Sequence, residues 1–306
     1  MTDQRIALVT GANQGIGYAL ATGLAARLGP DDLVLLTGRN PRRVAEAAAR
    51  ASGAPGRAAG VTGRVLDVTD AAAVAALAEE LRRRHGAVDI VLSNAGARIT
   101  PDRPQEEQAD EFIAVANGGT HAVLRSFGPV LRPGGRLLVV ASRFGMLGHL
   151  DPRLRPLFEH ATLDEVEAAV RAWRAAIHAG DARERGWPRW LNVPSKVAQV
   201  AAVRAVARER RDVDLRENTL VAAVCPGLVD TEASRPWFDD FSQVQTPDEA
   251  AAKVLDVVFR DDVDPELYGE LIRFGQALPW LGGTPPEGQD RLIADRTNLP
   301  SRRFVS

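Results

Sequence analysis

Near its start the chain carries Thr10-Gly11-Ala12-Asn13-Gln14-Gly15-Ile16-Gly17, directly after the apolar run Ile6 to Val9 and before an Ala/Leu-rich stretch. Glycines at a strand-to-helix turn let backbone amides approach a pyrophosphate at the helix N-terminus, so the chemistry implied is dinucleotide binding. At the end of the next apolar run, where an acidic side chain would hold an adenosine ribose 2′-hydroxyl, stand Thr37-Gly38-Arg39-Asn40, with Arg42 and Arg43 close behind. A guanidinium there favours a 2′-phosphate, and NADP(H) is therefore expected rather than NAD(H). The plain alternatives are a glycine turn with no ligand, and an Arg39 spent on a helix cap or a surface pair.

Placing such a turn requires alternating elements, and the sequence supplies them. Short β-branched runs bounded by Gly, Asn or Asp alternate with Ala/Leu/Arg-rich helical stretches, the pattern of parallel strands joined by crossover helices. Strands are expected at about 5–10, 33–38, 63–67, 88–93, 135–141, 217–224 and 267–273. Helices are expected at about 16–28, 41–52, 70–85, 107–131, 191–211 and 247–259, with Asp70 and Thr246 as N-caps. The architecture is one α/β domain, residues 1–280, with a doubly wound parallel sheet of about seven strands and helices on both faces. Residues 147–189 break the alternation: they are charged, helical around 163–179, and read as an insertion at the rim of the active site. A second irregular stretch, 226–246, contains Trp237, Phe238 and Phe241 and reads as a substrate lid. Residues 281–306, rich in Gly, Pro and charge, are expected to form a C-terminal extension rather than a second domain.

Composition narrows the functional classes. The 306 residues carry 38 basic and 40 acidic side chains, a formal net charge of -2. That balance gives no field for collecting nucleic acid or anionic membrane. Arg82-Arg83-Arg84 and Arg208-Glu209-Arg210-Arg211 read as solvated helix faces. The single cysteine, Cys225, excludes a disulfide within the chain and a cysteine-rich metal site, so no metal is expected and a cytoplasmic setting fits. No secretory layout and no apolar run long enough to span a membrane is visible, so the expected partner is a small molecule.

The Gly-x-x-x-Gly-x-Gly spacing of residues 11–17, Asn94-Ala95-Gly96 after a later strand, Ser142 at the end of another, and Lys196 together resemble the short-chain dehydrogenase/reductase family. The resemblance extends over roughly residues 5–280. It is closest to the monomeric carbonyl-reductase branch, through the insertion after Ser142, Gly186-Trp187-Pro188, and Val224-Cys225-Pro226-Gly227-Leu228-Val229. It implies a Rossmann-type fold and a cofactor site made by Gly11, Asn13, Gln14, Gly15, Ile16, Gly17, Arg39, the adenine-side pair Asp67 and Val68, the ribose-side loop Asn94, Ala95, Gly96, and Lys196, Pro226, Gly227 and Val229. It further implies that Ser142 hydrogen-bonds the substrate carbonyl, that Lys196 holds the nicotinamide ribose, and that Asn117 links the lysine to a water relay. An insertion of this kind covers the helix on which family members dimerise, so a monomer is expected.

One position departs from the pattern. The family places a proton-donating Tyr four residues before the lysine, and here that residue is Asn192. A neutral amide donates a hydrogen bond but does not exchange a proton usefully near neutral pH, whereas tuned acid catalysis contributes typically about 10²–10⁴-fold. Asn192 beside Ser142 would thus stabilise oxyanion charge while the proton comes from water or substrate. This suits an activated acceptor such as a quinone, Michael acceptor or hydroxyketone, with a coupled rearrangement also compatible. His149 and Asp151 are candidate substitute acids; Tyr18 and Tyr268 lie too far along the chain from the site to rescue it. Pro194 fits a helix only in its first turn. Trp187, Trp190, Trp237 and Phe238 are candidates for an aromatic wall around a bulky planar substrate, against plain packing. Cys225 reads as a buried strand-end residue. Two other functional readings stand beside the reductase: a catalytically silent dinucleotide binder, and a non-redox lyase, epimerase or cyclase. The Ala/Arg-rich composition suggests specialised biosynthesis.

Overall fold

The computed structural model describes residues 4–54, 56–237 and 244–282. Its strands are β1 Ile6–Val9, β2 Leu33–Gly38, β3 Gly60–Val65, β4 Val88–Ser93, β5 Leu131–Val140, β6 Leu220–Val224, β7 Leu271–Arg273 and β8 Gln276–Leu278. They form one sheet in the order β3-β2-β1-β4-β5-β6-β7-β8. The first seven are parallel, because a helix or a long connection returns the chain to the same end each time; β8 alone is antiparallel. With both faces covered, β1, β4 and β6 are buried along their whole length.

The helices are α1 Gly15–Arg27, α2 Pro41–Ser52, α3 Ala71–His85, α4 Gln105–Ile113, α5 Gly119–Phe127, α6 Leu163–Ala179, α7 Asn192–Arg216 and α8 Pro247–Val258. α1 packs with α2 and α8, while α3, α5, α7 and α6 pack in succession, with α4 against α6. The expected caps are present: Asp70 accepts from the Ala73 amide at 3.0 Å, and Thr246 forms a capping box with Glu249 behind Pro247.

Several boundaries differ from the sequence expectation for identifiable reasons. The stretch at 107–131 is not one helix: α4 and α5 are joined by a π-helical turn, Ala114–Gly118, and a 3₁₀ turn follows at Gly128–Val130. β3 starts earlier, at Gly60, because pairing with Leu33 fixes its register where the glycines carry no side-chain signal. β5 also starts earlier, since Leu131 pairs with Val88 ahead of a register shift around Pro133-Gly134-Gly135. α7 runs on to Arg216 because Asp214, fully buried, receives two hydrogen bonds from Arg210 and one from Tyr268. The strand anticipated over 267–273 is short and turns into β8 through Phe274 and Gly275, both at positive φ (51° and 82°). That is a two-residue hairpin turn with Phe where Asn or Asp would have announced it.

The order β2-β1-β4 makes a switch point between β1 and β4, where connections leave to opposite sides and open a crevice at the carboxyl ends of the strands. The glycine turn follows β1, Asn94 follows β4, Ser142 follows β5 and Cys225 follows β6, so one topological fact gathers all four.

Candidate active site

The turn after β1 can be tested for its fit to a dinucleotide phosphate without a ligand in place. Gly11 has φ 62° and passes so close to the next loop that an added Cβ would stand 2.7 Å from Ala95 Cα. At Gly17 a Cβ would be 2.4 Å from the Gly11 carbonyl oxygen. Gly15, at φ 56°, instead faces open space bounded by Thr231. Gln14 caps α1 in extended conformation with no side-chain cap, and the first turn holds no acidic residue. The N-terminal amides of α1 are thus left for an anion, and the turn fits the group expected there.

Asn94 holds this turn in shape. Its Nδ2 donates to the carbonyls of Thr10 and Gly11 at 3.0 and 3.2 Å, while Thr10 Oγ1 accepts from the Asn94 and Ala95 amides. Just after β2, Arg39 forms an ion pair with Glu111 at 2.8 Å, both side chains about 60 % exposed (62 % and 61 %). The surface pair is therefore real, but worth at most about 1 kcal/mol, too little to bar an incoming phosphate. Asp67 accepts from the amide and hydroxyl of Thr69, bonds that, with Arg39 nearby, hold its carboxyl below the ordinary range. Val68 is buried against Gly119, where a Cβ would meet its Cγ2 at 2.6 Å. Asn13 sits beside Gly38, its carbonyl accepting from Arg50 at 3.4 Å. Gly96 lies on the exposed loop after β4.

Beyond the turn, a cavity of about 610 Å³ brings together Ile16, Asn94, Ser142, Asn192 and Lys196 with Cys225 and the Pro226, Gly227 and Val229 loop. Ser142 caps a 3₁₀ turn, Arg143–Gly145, by accepting from the Phe144 amide at 3.3 Å. A Cβ on Gly145 would stand 2.9 Å from the Lys196 carbonyl oxygen and 2.6 Å from Val200 Cγ2. Glycine there lets the serine's turn lie directly on α7, which is what sets Ser142 beside the lysine's helix. Asn192 is the first residue of α7, and Pro194 falls in the first turn, the place where proline is tolerated.

Lys196 Nζ donates to the Val140 carbonyl at 3.3 Å and to Gln199 Oε1 at 2.7 Å. Burial pushes its ammonium down to about 8, partly offset by the nearby Cys225. Asn117, fully buried in the π-helical turn, makes no direct hydrogen bond to the lysine. Its Nδ2 donates at 3.0 Å to the carbonyl of Ser195, and its Oδ1 has no partner among the described residues. The direct link is Gln199, which the sequence reading missed although it stands three residues after Lys196 on the same helix face. Its Nε2 donates to Ala116 O and Thr120 Oγ1, both at 2.9 Å.

The aromatic wall is partly as expected. Trp190 and Trp237 line the cavity with ring centroids 6.0 Å apart, and Phe144, unforeseen, meets Trp190 edge-on at 4.7 Å. Trp237 Nε1 donates to the Ile99 carbonyl at 3.2 Å, tying the 226–246 stretch to the loop after β4. Trp187 does not line the cavity but packs on Trp173 and Phe158 within the segment that precedes α7. Phe238 and Phe241 lie outside the described residues. Neither substitute acid reaches the cavity: Asp151 is held near about 2 by Arg153, and His149 stands behind Phe144, ring centroids 5.9 Å apart. Tyr18 lies under Arg50 and Tyr268 donates to Asp214, both away from the site.

Known proteins share this arrangement in outline. The short chain dehydrogenase family profile matches residues 5–150. Carbonyl reductase [NADPH] 1 of Oryctolagus cuniculus is 30 % identical over 256 residues, covering 82 % of this chain and 89 % of the relative. The Sus scrofa protein of the same name is 27 % identical over 296 residues, covering 94 % and 97 %. The solved structure of salutaridine reductase from Papaver somniferum superimposes with a TM-score of 0.72 at 22 % identity, covering 87 % of this chain and 99 % of that one. At that identity the structural likeness speaks for the fold. With the sequence relatives it accounts for the glycine turn, the switch point and the cavity beside them: the chain belongs to the short-chain dehydrogenase/reductase family.

Proposed function

We propose that this protein is an NADPH-dependent reductase that acts on an activated carbonyl or quinone-type acceptor carried by a bulky, planar substrate. The observation that carries the reading is the convergence of Ser142, Asn192 and Lys196 on one aromatic-walled cavity at the switch point, beside a glycine turn left open for phosphate. The curated relatives named as NADPH enzymes support the same cofactor choice.

The turn residues Gly11, Asn13, Gln14, Gly15, Ile16 and Gly17 would hold the pyrophosphate, Arg39 the 2′-phosphate, and Asp67 with Val68 the adenine. Asn94, Ala95 and Gly96, with Pro226, Gly227 and Val229, would line the nicotinamide end together with Lys196. Bound NADPH supplies the hydride. Ser142 Oγ and Asn192 Nδ2 donate to the acceptor oxygen and stabilise its growing charge without moving a proton. The remaining task falls to Lys196, whose ammonium, lowered by burial toward 8, releases a proton near neutral pH as an ordinary lysine would not. Asn117, with a buried and unpartnered Oδ1, fits a water-bridging place behind it.

The described part of the stretch 226–246 acts in this reading as the lid of the cavity in a single 1–280 domain, whereas no residue of the segment 147–189, expected at its rim, lines it. The C-terminal extension 281–306 lies outside the described residues apart from Leu281 and Gly282. α6 packs across α7, which supports the expected monomer; light scattering tests it.

Titration with NADPH and NADH, followed by nicotinamide fluorescence and then by NADPH consumption with quinones and polycyclic ketones, tests the whole. Tight NADPH binding with turnover supports a reductase. Binding with no turnover of any acceptor would favour a silent dinucleotide binder, a reading the missing Tyr supports. Product formed without any nicotinamide change would favour a lyase, epimerase or cyclase.

A further inference from the structure

The residues around the cavity include five cations, Arg98, Arg143, Lys196, Lys253 and Arg273, and no Asp or Glu among the described residues. This is unusual for a protein whose charges balance overall. Elsewhere arginines are answered by carboxylates: Arg125 by Asp164 and Glu167, Arg174 by Asp110, Arg235 by Asp230. Inside the cavity Lys196 is bound to Gln199 and Val140, Lys253 to Gln245 and the face of Phe274, and Arg273 lies over the same ring. Arg143 is half-buried and makes no hydrogen bond or ion pair to any described residue, whereas Arg98 is exposed and shares the field of the Asp102 carboxylate.

Their position says what they await. Arg143 immediately follows Ser142 on the turn that also carries Phe144, and Arg98 immediately precedes Ile99, whose carbonyl fixes Trp237. Both line the same cavity as the Phe144, Trp190 and Trp237 rings. A half-buried guanidinium without an anion is costly, and its planar fork matches a carboxylate bidentately.

We propose that the substrate is an acid: a planar polycyclic ketone or quinone whose carboxylate is received by Arg143, assisted by Arg98, while its rings stack on Phe144, Trp190 and Trp237. This rests on the reductase reading for the reaction, but not for the binding site. With no acid in the wall to oppose it, the cavity's field draws in the anion, and a neutral analogue leaves the guanidinium unpaired.

The test uses the full chain saturated with NADP⁺, so that nothing turns over, and calorimetric titration with anthraquinone-2-carboxylate and its carboxamide. The acid is expected to bind at least about tenfold more tightly than the amide, as a charge-assisted hydrogen bond to a desolvated partner implies. R143Q should lower affinity for the acid about tenfold more than for the amide, R143K should restore part of the difference, and added salt should erode it. R98Q, at an exposed position, should reduce the preference by a smaller factor without touching the fold. Equal affinities for acid and amide overturn the proposal. So does an R143Q that weakens NADPH binding as much as acid binding, since the cation would then serve the dinucleotide. A preserved acid preference with no NADPH oxidation would support the anion site while refuting the reductase.

Discussion

Lys196 and Gln199 form one hydrogen-bonded unit on α7: the ammonium donates to Gln199 Oε1 at 2.7 Å, and the glutamine amide is anchored in turn to Ala116 and Thr120. The glutamine accepts from the charged form of the lysine and so favours it, opposing the burial that lowers the lysine toward 8.

Gln199 is accordingly a positioning residue whose substitutions move a pH profile. If protonated Lys196 is the acid, kcat/KM falls as pH rises through about 8. Q199M removes the acceptor and should move that alkaline limb to lower pH; Q199E adds a negative charge and should move it higher, each by about one unit. The measurement is the pH dependence of NADPH oxidation with a quinone. Lowered rates with both limbs superimposed on the parent would show that Gln199 only packs.

Asn192 opens α7 in the same cavity as Ser142 and Lys196. Restoring a phenol there, as N192Y, is expected to raise kcat/KM for simple, unactivated ketones by roughly tenfold or more, within the range that tuned acid catalysis supplies. The gain should be small for quinones, which do not need the acid. Steady-state assays on one acceptor of each class decide it, and an unchanged ketone rate would mean that Trp190 and Pro194 keep the position out of line.

Arg39 tests the cofactor choice. It is exposed and shared with Glu111, so R39Q should weaken NADPH binding by about tenfold, leave NADH little changed, and not affect folding. E111Q frees the guanidinium and should tighten NADPH binding by up to a few fold. Fluorescence titrations of both variants with both nucleotides suffice. Parallel losses for NADPH and NADH in R39Q would remove the 2′-phosphate role.

What the sequence made legible followed from local rules. The glycine turn, the caps at Asp70 and Thr246, Pro194 in a first turn and the parallel alternation all depend on residues within a few positions of each other. The parts it concealed depend on partners far along the chain. Gln199 is an ordinary helical glutamine until Ala116 and Thr120 are placed against it across the π-helical turn. No local rule singles out Phe144 and Arg143, which reach the cavity on the turn that Gly145 lays on α7. Trp187 shared its neighbours' composition but was claimed by Trp173 and Phe158. The β7–β8 hairpin hid behind Phe274 at a left-handed position, with Lys253 and Arg273 over its ring.

His121 makes the fold acid-sensitive in a window of its own. The ring is 4 % exposed on α5, and Nε2 has no partner among the described residues. Burial pushes its pKa down to about 4, with Glu167 pulling it up and Arg125 and Arg171 pressing it down. Above the unfolded value of 6.5 neither state binds the proton, and the residue contributes nothing to pH dependence. Between 6.5 and 4 the unfolded chain takes a proton that the native ring refuses, so stability falls as pH falls. From about pH 7 to about pH 5 the loss should be about 2 kcal/mol, read from urea midpoints at the two values. Asp110, held near about 2 by Arg174 and His178, acts in the same direction but only below its ordinary value of 3.8, so the two windows separate. H121L keeps the volume near that of the ring and removes the proton site; its midpoint should change far less between the two pH values. A variant that loses stability as steeply as the parent would assign the acid sensitivity to other groups.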